Sequence, residues 1–425
     1  MLYYLFSYLE QIHFPGARIF TYVTVRATTA AILALVISIW FGNWFIKKMK
    51  EKHIEETQRD AKTDPFNVKK TGVPTMGGII IIVATLLPCL LVSKLNSVYM
   101  VLMIITALLL GAIGFADDYI KTFKKKKDGI NGWVKIGGQV LLGLIVGLTL
   151  RFSPSVQMNE TVKLKIEDNK EIVVKSPDVK STRTTIPFFK NHNLNYANLF
   201  KWAGPKWMYY LAWIFFVLLT VFIVAAVSNG SNLNDGMDGM ASGNSAIIGL
   251  TLLLLAYISS NAKTASYLNL MYIPGSEELV VFMAAFVGAL IGFLWFNSYP
   301  AQIFMGDTGS LTIGGIIAVS AIIMHKELLL PLLCGVFLFE ILSDLDVKRF
   351  VKTGKKHRIW KKGPLHDHFR TSYSDFQKTW PNSTVTFKGH GEGHNTVHHE
   401  VKITIRFWII TILLAAFTLI TFKIR

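Results

Sequence analysis

Ten long apolar stretches decide what this chain can become. They run over about 20–46, 77–93, 98–116, 134–150, 207–228, 244–260, 279–296, 310–325, 328–346 and 406–423. A bilayer core about 30 Å thick takes roughly 17–25 helical residues, and these stretches meet or approach that length. The weakest is 310–325. Runs such as Ile79-Ile80-Ile81-Ile82 and Leu252-Leu253-Leu254-Leu255 are apolar on every side, whereas membrane-spanning strands would alternate. The pattern predicts an all-α integral membrane protein with about ten transmembrane helices. Of the 425 residues 52% are hydrophobic and 17% charged, against about 25% charged in soluble domains. That excludes intrinsic disorder. The net charge of +17 would suit a nucleic-acid binder, but the apolar content argues for lipid instead, and no nucleic-acid partner is expected. Cys89 and Cys334 lie far apart in apolar runs and suggest neither a disulfide framework nor a zinc site. The N-terminal residues lack the features of a removable signal peptide.

Basic residues orient the helices. Segments 47–75, 117–135 and 347–406 hold 8, 6 and 13 Lys/Arg, whereas three short connections on the other side hold only Lys94, Lys263 and Lys326. The 151–206 loop has ten basic residues, but long loops translocate largely regardless of charge. With ten spans, both termini then lie outside, and the basic segments face the cytoplasm. The expected organisation is a single polytopic domain over 1–425 with two insertions. Segment 151–206 reads as an outer, periplasmic β-hairpin insertion. A cytoplasmic loop, 349–405, carries the His-rich insertion 370–401.

Three acidic clusters fall on the predicted cytoplasmic face. Asp117 and Asp118 end the third stretch. Asn232, Asp235 and Asp238 follow the fifth, in Asn232-Leu233-Asn234-Asp235-Gly236-Met237-Asp238-Gly239. Asp307 follows the seventh, in Gly306-Asp307-Thr308-Gly309-Ser310. Lys70, Lys121, Lys135, His366 and His368 fall there too. Each cluster alone reads as a solvated helix end, a turn or a helix cap. Their convergence, with glycines and lysines nearby, suits a hard cation and a phosphorylated ligand. Together they suggest metal-assisted phosphoryl transfer at the inner membrane surface.

On these residues the chain resembles the polyprenyl-phosphate N-acetylhexosamine-1-phosphate transferases (glycosyltransferase family 4), in particular the branch that transfers the muramoyl pentapeptide. The motifs are Lys69-Lys70-Thr71-Gly72-Val73-Pro74-Thr75-Met76-Gly77-Gly78, Phe115-Ala116-Asp117-Asp118-Tyr119, the Asn232–Gly239 run, Phe304-Met305-Gly306-Asp307-Thr308-Gly309-Ser310 and Pro364-Leu365-His366-Asp367-His368-Phe369. The resemblance implies Mg2+-dependent transfer of phospho-MurNAc-pentapeptide from UDP-MurNAc-pentapeptide to undecaprenyl phosphate, giving lipid I and UMP. This would be the first membrane step of peptidoglycan biosynthesis, in the bacterial inner membrane, by a protein that could form a homodimer. It implies a catalytic group of Asp117, Asp118, Asp307 and His366, with Asp307 as the metal ligand, Asp117 as the base and Asp118 in support. Asn232, Leu233, Asp235, Asp238 and Phe304 match positions that hold uridine or order its loop. Lys70, Thr75, Lys135, Asn297 and His368 match polar substrate-binding positions.

The chain departs from the family at Asp367, where a middle histidine is usual, at Asn234 for threonine, and in the longer 370–401 insertion. An ionised carboxylate cannot donate to phosphate, so Asp367 is expected to orient a neighbouring His or approach the metal indirectly. His390, His394, His398 and His399 are spaced for one helix face, but Gly389, Gly391 and Gly393 favour a loop over a zinc site. Glu340, Asp344 and Asp346 read either as cleft-lining or packing residues or as a solvated helix end. Two other functions fit parts of the pattern: a UDP-GlcNAc or related sugar-1-phosphate transferase, and a membrane transporter.

Overall fold

A computed structural model describes residues 1–52, 72–126, 128–159, 162–167, 170–175, 179–187, 193–268, 270–354, 356–387 and 397–422. Fifteen α-helices follow one another: α1 (Leu2–Gln11), α2 (Val23–Glu51), α3 (Gly78–Val92), α4 (Val98–Phe123), α5 (Gly132–Phe152), α6 (Gly204–Leu233), α7 (Met240–Ser260), α8 (Ala262–Tyr267), α9 (Glu277–Asn297), α10 (Gly306–Ile323), α11 (Leu330–Leu333), α12 (Gly335–Thr353), α13 (Leu365–Arg370), α14 (Tyr373–Thr379) and α15 (Glu400–Ile420). All ten apolar stretches are helical over most of their length.

Eight helices among the described residues are long and apolar enough to cross a membrane: α2, α4, α5, α6 with its preceding 3-10 turn, α7, α9, α10 and α15. The chain is a multi-pass membrane protein. The stretch expected at 328–346 is not one straight helix. It is a 3-10 turn and α11 followed by α12, bent by 74°. The break falls at Cys334–Gly335, where a Cβ on Gly335 would lie 2.9 Å from Leu414 of α15. α3 has only 15 residues. It begins where residues 74–78 leave a backbone pairing with 304–305, in which Gly77 N–H donates to Phe304 O at 2.8 Å and Gly78 N–H to Met305 O at 2.9 Å.

Helices α9 and α10 form the centre of the bundle, their apolar windows 83% and 89% buried. The 310–325 stretch, weakest by sequence, is thus the most enclosed. Its run of Gly, Ser and Thr suits a helix packed closely by neighbours rather than by lipid. α10 packs on α4 and α6, and α9 on α2, α3 and α7.

Among the described residues of 151–206, two antiparallel strand pairs form, β1 (Val162–Glu167) with β2 (Lys170–Lys175), and β3 (Arg183–Thr185) with β4 (Asn193–Asn195). They sit at the end of the bundle where α10 finishes, with Thr185 N–H donating to His325 O at 2.9 Å. A buried Arg26–Glu278 pair, 2.5 Å apart, ties the first turns of α2 and α9 at that same end. At the opposite end α4, α6 and α9 finish and α5, α7 and α10 begin. All the described acidic motifs meet there.

Candidate active site

Consecutive residues on a helix point about 100° apart, so Asp117 and Asp118 at the end of α4 address different neighbours. Asp118 faces the start of α10. Its Oδ1 accepts the Asp307 N–H at 3.0 Å, and its Oδ2 accepts the Thr308 N–H at 2.9 Å and the Thr308 hydroxyl at 2.5 Å. The carboxylate thus satisfies orphan donors at a helix N-terminus, where negative charge is favoured. This contact requires glycine at 306: φ is +71°, and a Cβ would lie 2.5 Å from Asp118 Oδ2.

Asp117 faces α5. Its Oδ1 accepts the Ile130 N–H at 2.7 Å, and its Oδ2 lies 2.6 Å from Lys121 Nζ and 3.0 Å from Lys135 Nζ. The same two lysines reach Asp307 Oδ2, at 3.4 Å and 2.5 Å. Asp307 Oδ1 accepts from Asn232 Nδ2 at 2.9 Å, and Asn232 also donates to Ser310 Oγ at 2.9 Å. One oxygen from each of Asp117, Asp118 and Asp307 falls within 4.8 Å of the others. Three carboxylates against two lysines leave a negative pocket of hard oxygen donors, which fits a divalent cation such as Mg2+. Asp307, partly exposed, is its most accessible member.

Asn232 joins this pocket to the α6–α7 turn, which holds Leu233 and Asp235. Asp238 and Asn297 are buried and fasten the far side of that turn. Asp238 Oδ2 accepts the Ala301 N–H at 3.0 Å. Asn297 Oδ1 accepts from Gly239 N–H and Ser242 Oγ, and its Nδ2 donates to Ile303 O. From α15, Glu400 accepts the Asp238 N–H, and Trp408 donates to Gly239 O. Asp238 and Asn297 therefore order the loops. Thr75 is buried beside Phe304, whose N–H donates to Pro74 O. Lys70 lies outside the described residues, as do His390 and His394.

α13 brings His366 to the same turn, while His368 meets Trp360 and accepts from the Lys361 N–H. His366 Nδ1 is 3.2 Å from both oxygens of Glu340, which α12 carries fully buried. Its Nε2 presses on the turn: a Cβ on Gly236 would lie 2.0 Å away, so only glycine fits. Burial opposes charging of His366, but the Glu340 carboxylate, with Asp367, outweighs it and holds the imidazole pKa above its ordinary value. Asp367 accepts from Arg370 Nε at 2.7 Å and pairs with Lys362 at 3.1 Å. Burial would raise its pKa, yet His366, Arg370 and Lys362 hold it below the usual carboxylate range. Asp367 is thus an ion-pair partner, as a carboxylate at that position should be. Asp344 pairs with Lys348 at 2.6 Å, and Asp346 accepts the Ile359 N–H.

Reasoning from sequence placed Lys121 on this face without giving it a role; its i,i+4 spacing from Asp117 was the available signal. The sequence leaves Glu340 between two readings and carries no signal for Glu400 or Trp408.

These features define a class: a multi-pass membrane protein with an acidic, lysine-flanked pocket buried where helices end. Comparison with known proteins gives the particular family. The family described as Glycosyl transferase family 4 matches residues 99–325. Similar proteins named phospho-N-acetylmuramoyl-pentapeptide-transferase occur in Phocaeicola vulgatus (61% identical over 430 residues), Bacteroides fragilis (60% over 430) and Parabacteroides distasonis (52% over 432), each alignment covering 100% of both chains. The chain belongs to glycosyl transferase family 4, among its phospho-N-acetylmuramoyl-pentapeptide-transferases, and is a transferase enzyme. The 370–401 insertion lies inside the matched length.

Proposed function

We propose that this protein transfers phospho-MurNAc-pentapeptide from UDP-MurNAc-pentapeptide to undecaprenyl phosphate, forming lipid I and releasing UMP. The observation that carries this reading is end-to-end identity of up to 61% with relatives of that name. The convergence of Asp117, Asp118 and Asp307 beside Lys121 and Lys135 supports it chemically. Two unit charges about 4 Å apart repel by about 4 kcal/mol at a typical protein dielectric. Bringing a lipid phosphate to a diphosphate therefore needs cationic compensation. Asp307 is the residue that would hold Mg2+, which when bound would supply charge neutralisation at the diphosphate.

The chain's own groups do the rest. Lys121 and Lys135 lie where they can follow negative charge onto the departing UMP. In this reading the lipid phosphate attacks the donor directly, Asp117 takes its proton, and the bond to UMP breaks. Asp118 supports the site by holding the start of α10. Asn232, Leu233, Asp235 and Phe304 receive the uridine side, ordered by Asp238 and Asn297. His366 belongs to the catalytic group, and Lys70, Thr75 and His368 complete the substrate-binding set. We further read the chain as ten spans in the bacterial cytoplasmic membrane, with termini outside and the pocket facing the cytoplasm. The basic segments 117–135 and 347–406 adjoin the pocket end and support this orientation.

The test is UMP release by purified protein with undecaprenyl phosphate and Mg2+, offering UDP-MurNAc-pentapeptide or UDP-GlcNAc separately. Metal-dependent release with the pentapeptide donor alone is expected. Release with UDP-GlcNAc would overturn the donor assignment, and silence with both would overturn the transferase reading.

A further inference from the structure

The insertion after α13 folds back onto the residues before it. β5 (His357–Arg358) and β6 (Thr384–Val385) pair in parallel. The pairing continues through Thr386 N–H to Arg358 O at 3.0 Å and Phe387 N–H to Ile359 O at 3.2 Å. The Arg358 guanidinium lies 4.5 Å from the ring centre of Phe376 in α14, 4.8 Å from that of Phe350 and 5.9 Å from that of Trp380. These contacts fasten the insertion to the end of α12. Phe387 then stacks on Trp360, with ring centres 5.0 Å apart and planes at 21°. Trp360 in turn meets His368 edge to face at 5.4 Å.

His368 is also held through its ring nitrogen. The Lys361 backbone N–H donates to Nδ1 at 3.1 Å. A backbone N–H can only donate, so Nδ1 must accept, and the ring proton of a neutral imidazole then sits on Nε2. We propose that segment 373–387 is a positioning clamp that fixes the orientation of His368 and its Nε2–H tautomer, through the Phe387–Trp360 stack and the Lys361 backbone. Burial, then the nearby Lys361 and Arg358 charges, push the His368 pKa down to about 4, consistent with a neutral ring. A fixed neutral N–H donor offers a substrate oxygen one directed hydrogen bond without adding charge. The clamp rests on the reading of His368 as a substrate-binding residue, and it makes Phe387, half exposed and otherwise remote, a positioning residue.

The test compares Phe387→Ala, Phe387→Leu, Phe387→Tyr, His368→Ala and the Phe387→Ala, His368→Ala pair in full-length enzyme. Phe387→Ala and Phe387→Leu should raise KM for UDP-MurNAc-pentapeptide about three- to tenfold, the range of an aromatic pair, while kcat stays within about twofold. Phe387→Tyr should restore the wild-type KM. The double variant should be no worse than His368→Ala alone, since both act through one group. A raised KM in His368→Ala with wild-type KM in Phe387→Ala would overturn the clamp and leave the His368 assignment standing. A wild-type KM in His368→Ala would overturn that assignment and the clamp together. Additive effects, or a loss confined to kcat, would show that the insertion acts elsewhere.

Discussion

Asp118, at the end of α4, holds Thr308 in the first turn of α10 by both its backbone N–H and its hydroxyl. The Asp307 N–H is held by the same carboxylate. The consequence is that Asp307, the most accessible carboxylate of the pocket, takes its position from its neighbour Asp118. Asp118→Asn removes the charge from these bonds, and hydrogen bonds to charged groups contribute roughly 1.5–3 kcal/mol. A lower thermal midpoint in detergent is expected together with lower activity. Thr308→Val should move both in the same direction by less, because it removes only the hydroxyl bond. Unchanged stability in Asp118→Asn would refute the capping role.

Asp307→Asn should behave differently. The residue is partly exposed, adds no core volume and is met by Asn232, Lys121 and Lys135. Losing its charge should lower turnover by at least about 100-fold, the scale of a lost electrostatic contact in a reacting centre. The thermal midpoint should move little. The Mg2+ concentration for half-maximal stabilisation against heat should rise, which reads the metal independently of turnover. Wild-type Mg2+ dependence would remove Asp307 as a metal ligand.

The contrast between these neighbours shows what a one-dimensional reading can reach. Apolar length alone located the helical stretches, and the acids were conspicuous because the helix ends around them are otherwise apolar. That Asp117 and Asp118 point apart follows from helix geometry, but their partners come from α5 and α10 and are fixed only by packing. The bend at Cys334–Gly335 is harder to read: the stretch 328–346 is long and apolar enough for one span, and Pro331 and Gly335 mark a break without setting its angle. Glu340 looked ambiguous because its partner His366 lies 26 residues away. Trp360 and Phe387, 27 residues apart, carry no spacing signal at all.

At position 367 sequence and structure meet most directly. Asp367 finds two cations, Arg370 and Lys362. Asp367→His would place an imidazole against the buried Arg370 guanidinium and remove its carboxylate. Breaking one side of a buried pair costs about 3–5 kcal/mol in general, and Lys362, partly exposed, keeps this case toward the lower end. Activity should fall tenfold or more. Adding Arg370→Glu should recover much of the loss by restoring opposite charges, with the coupling read from a double-mutant cycle. Full activity in Asp367→His alone would make the position peripheral.

Glu340 and His366 give the pH behaviour. Because the carboxylate holds the His366 pKa above its ordinary value, the folded protein keeps the imidazolium to a higher pH than the unfolded chain does. The stabilisation is fully present below the unfolded imidazole pKa, about 6.5, and is lost as pH rises through the raised folded value. Thermal stability should therefore decline on the alkaline side of neutrality. Glu340→Gln keeps a hydrogen-bonding oxygen but removes the charge, so the decline should begin at lower pH than in the wild type. Since His366 also presses on Gly236 in the turn assigned to uridine, KM for the nucleotide donor should rise over the same shifted window. If Glu340→Gln leaves both profiles in place, something other than this carboxylate governs His366, and the link from α12 to the nucleotide turn fails with it.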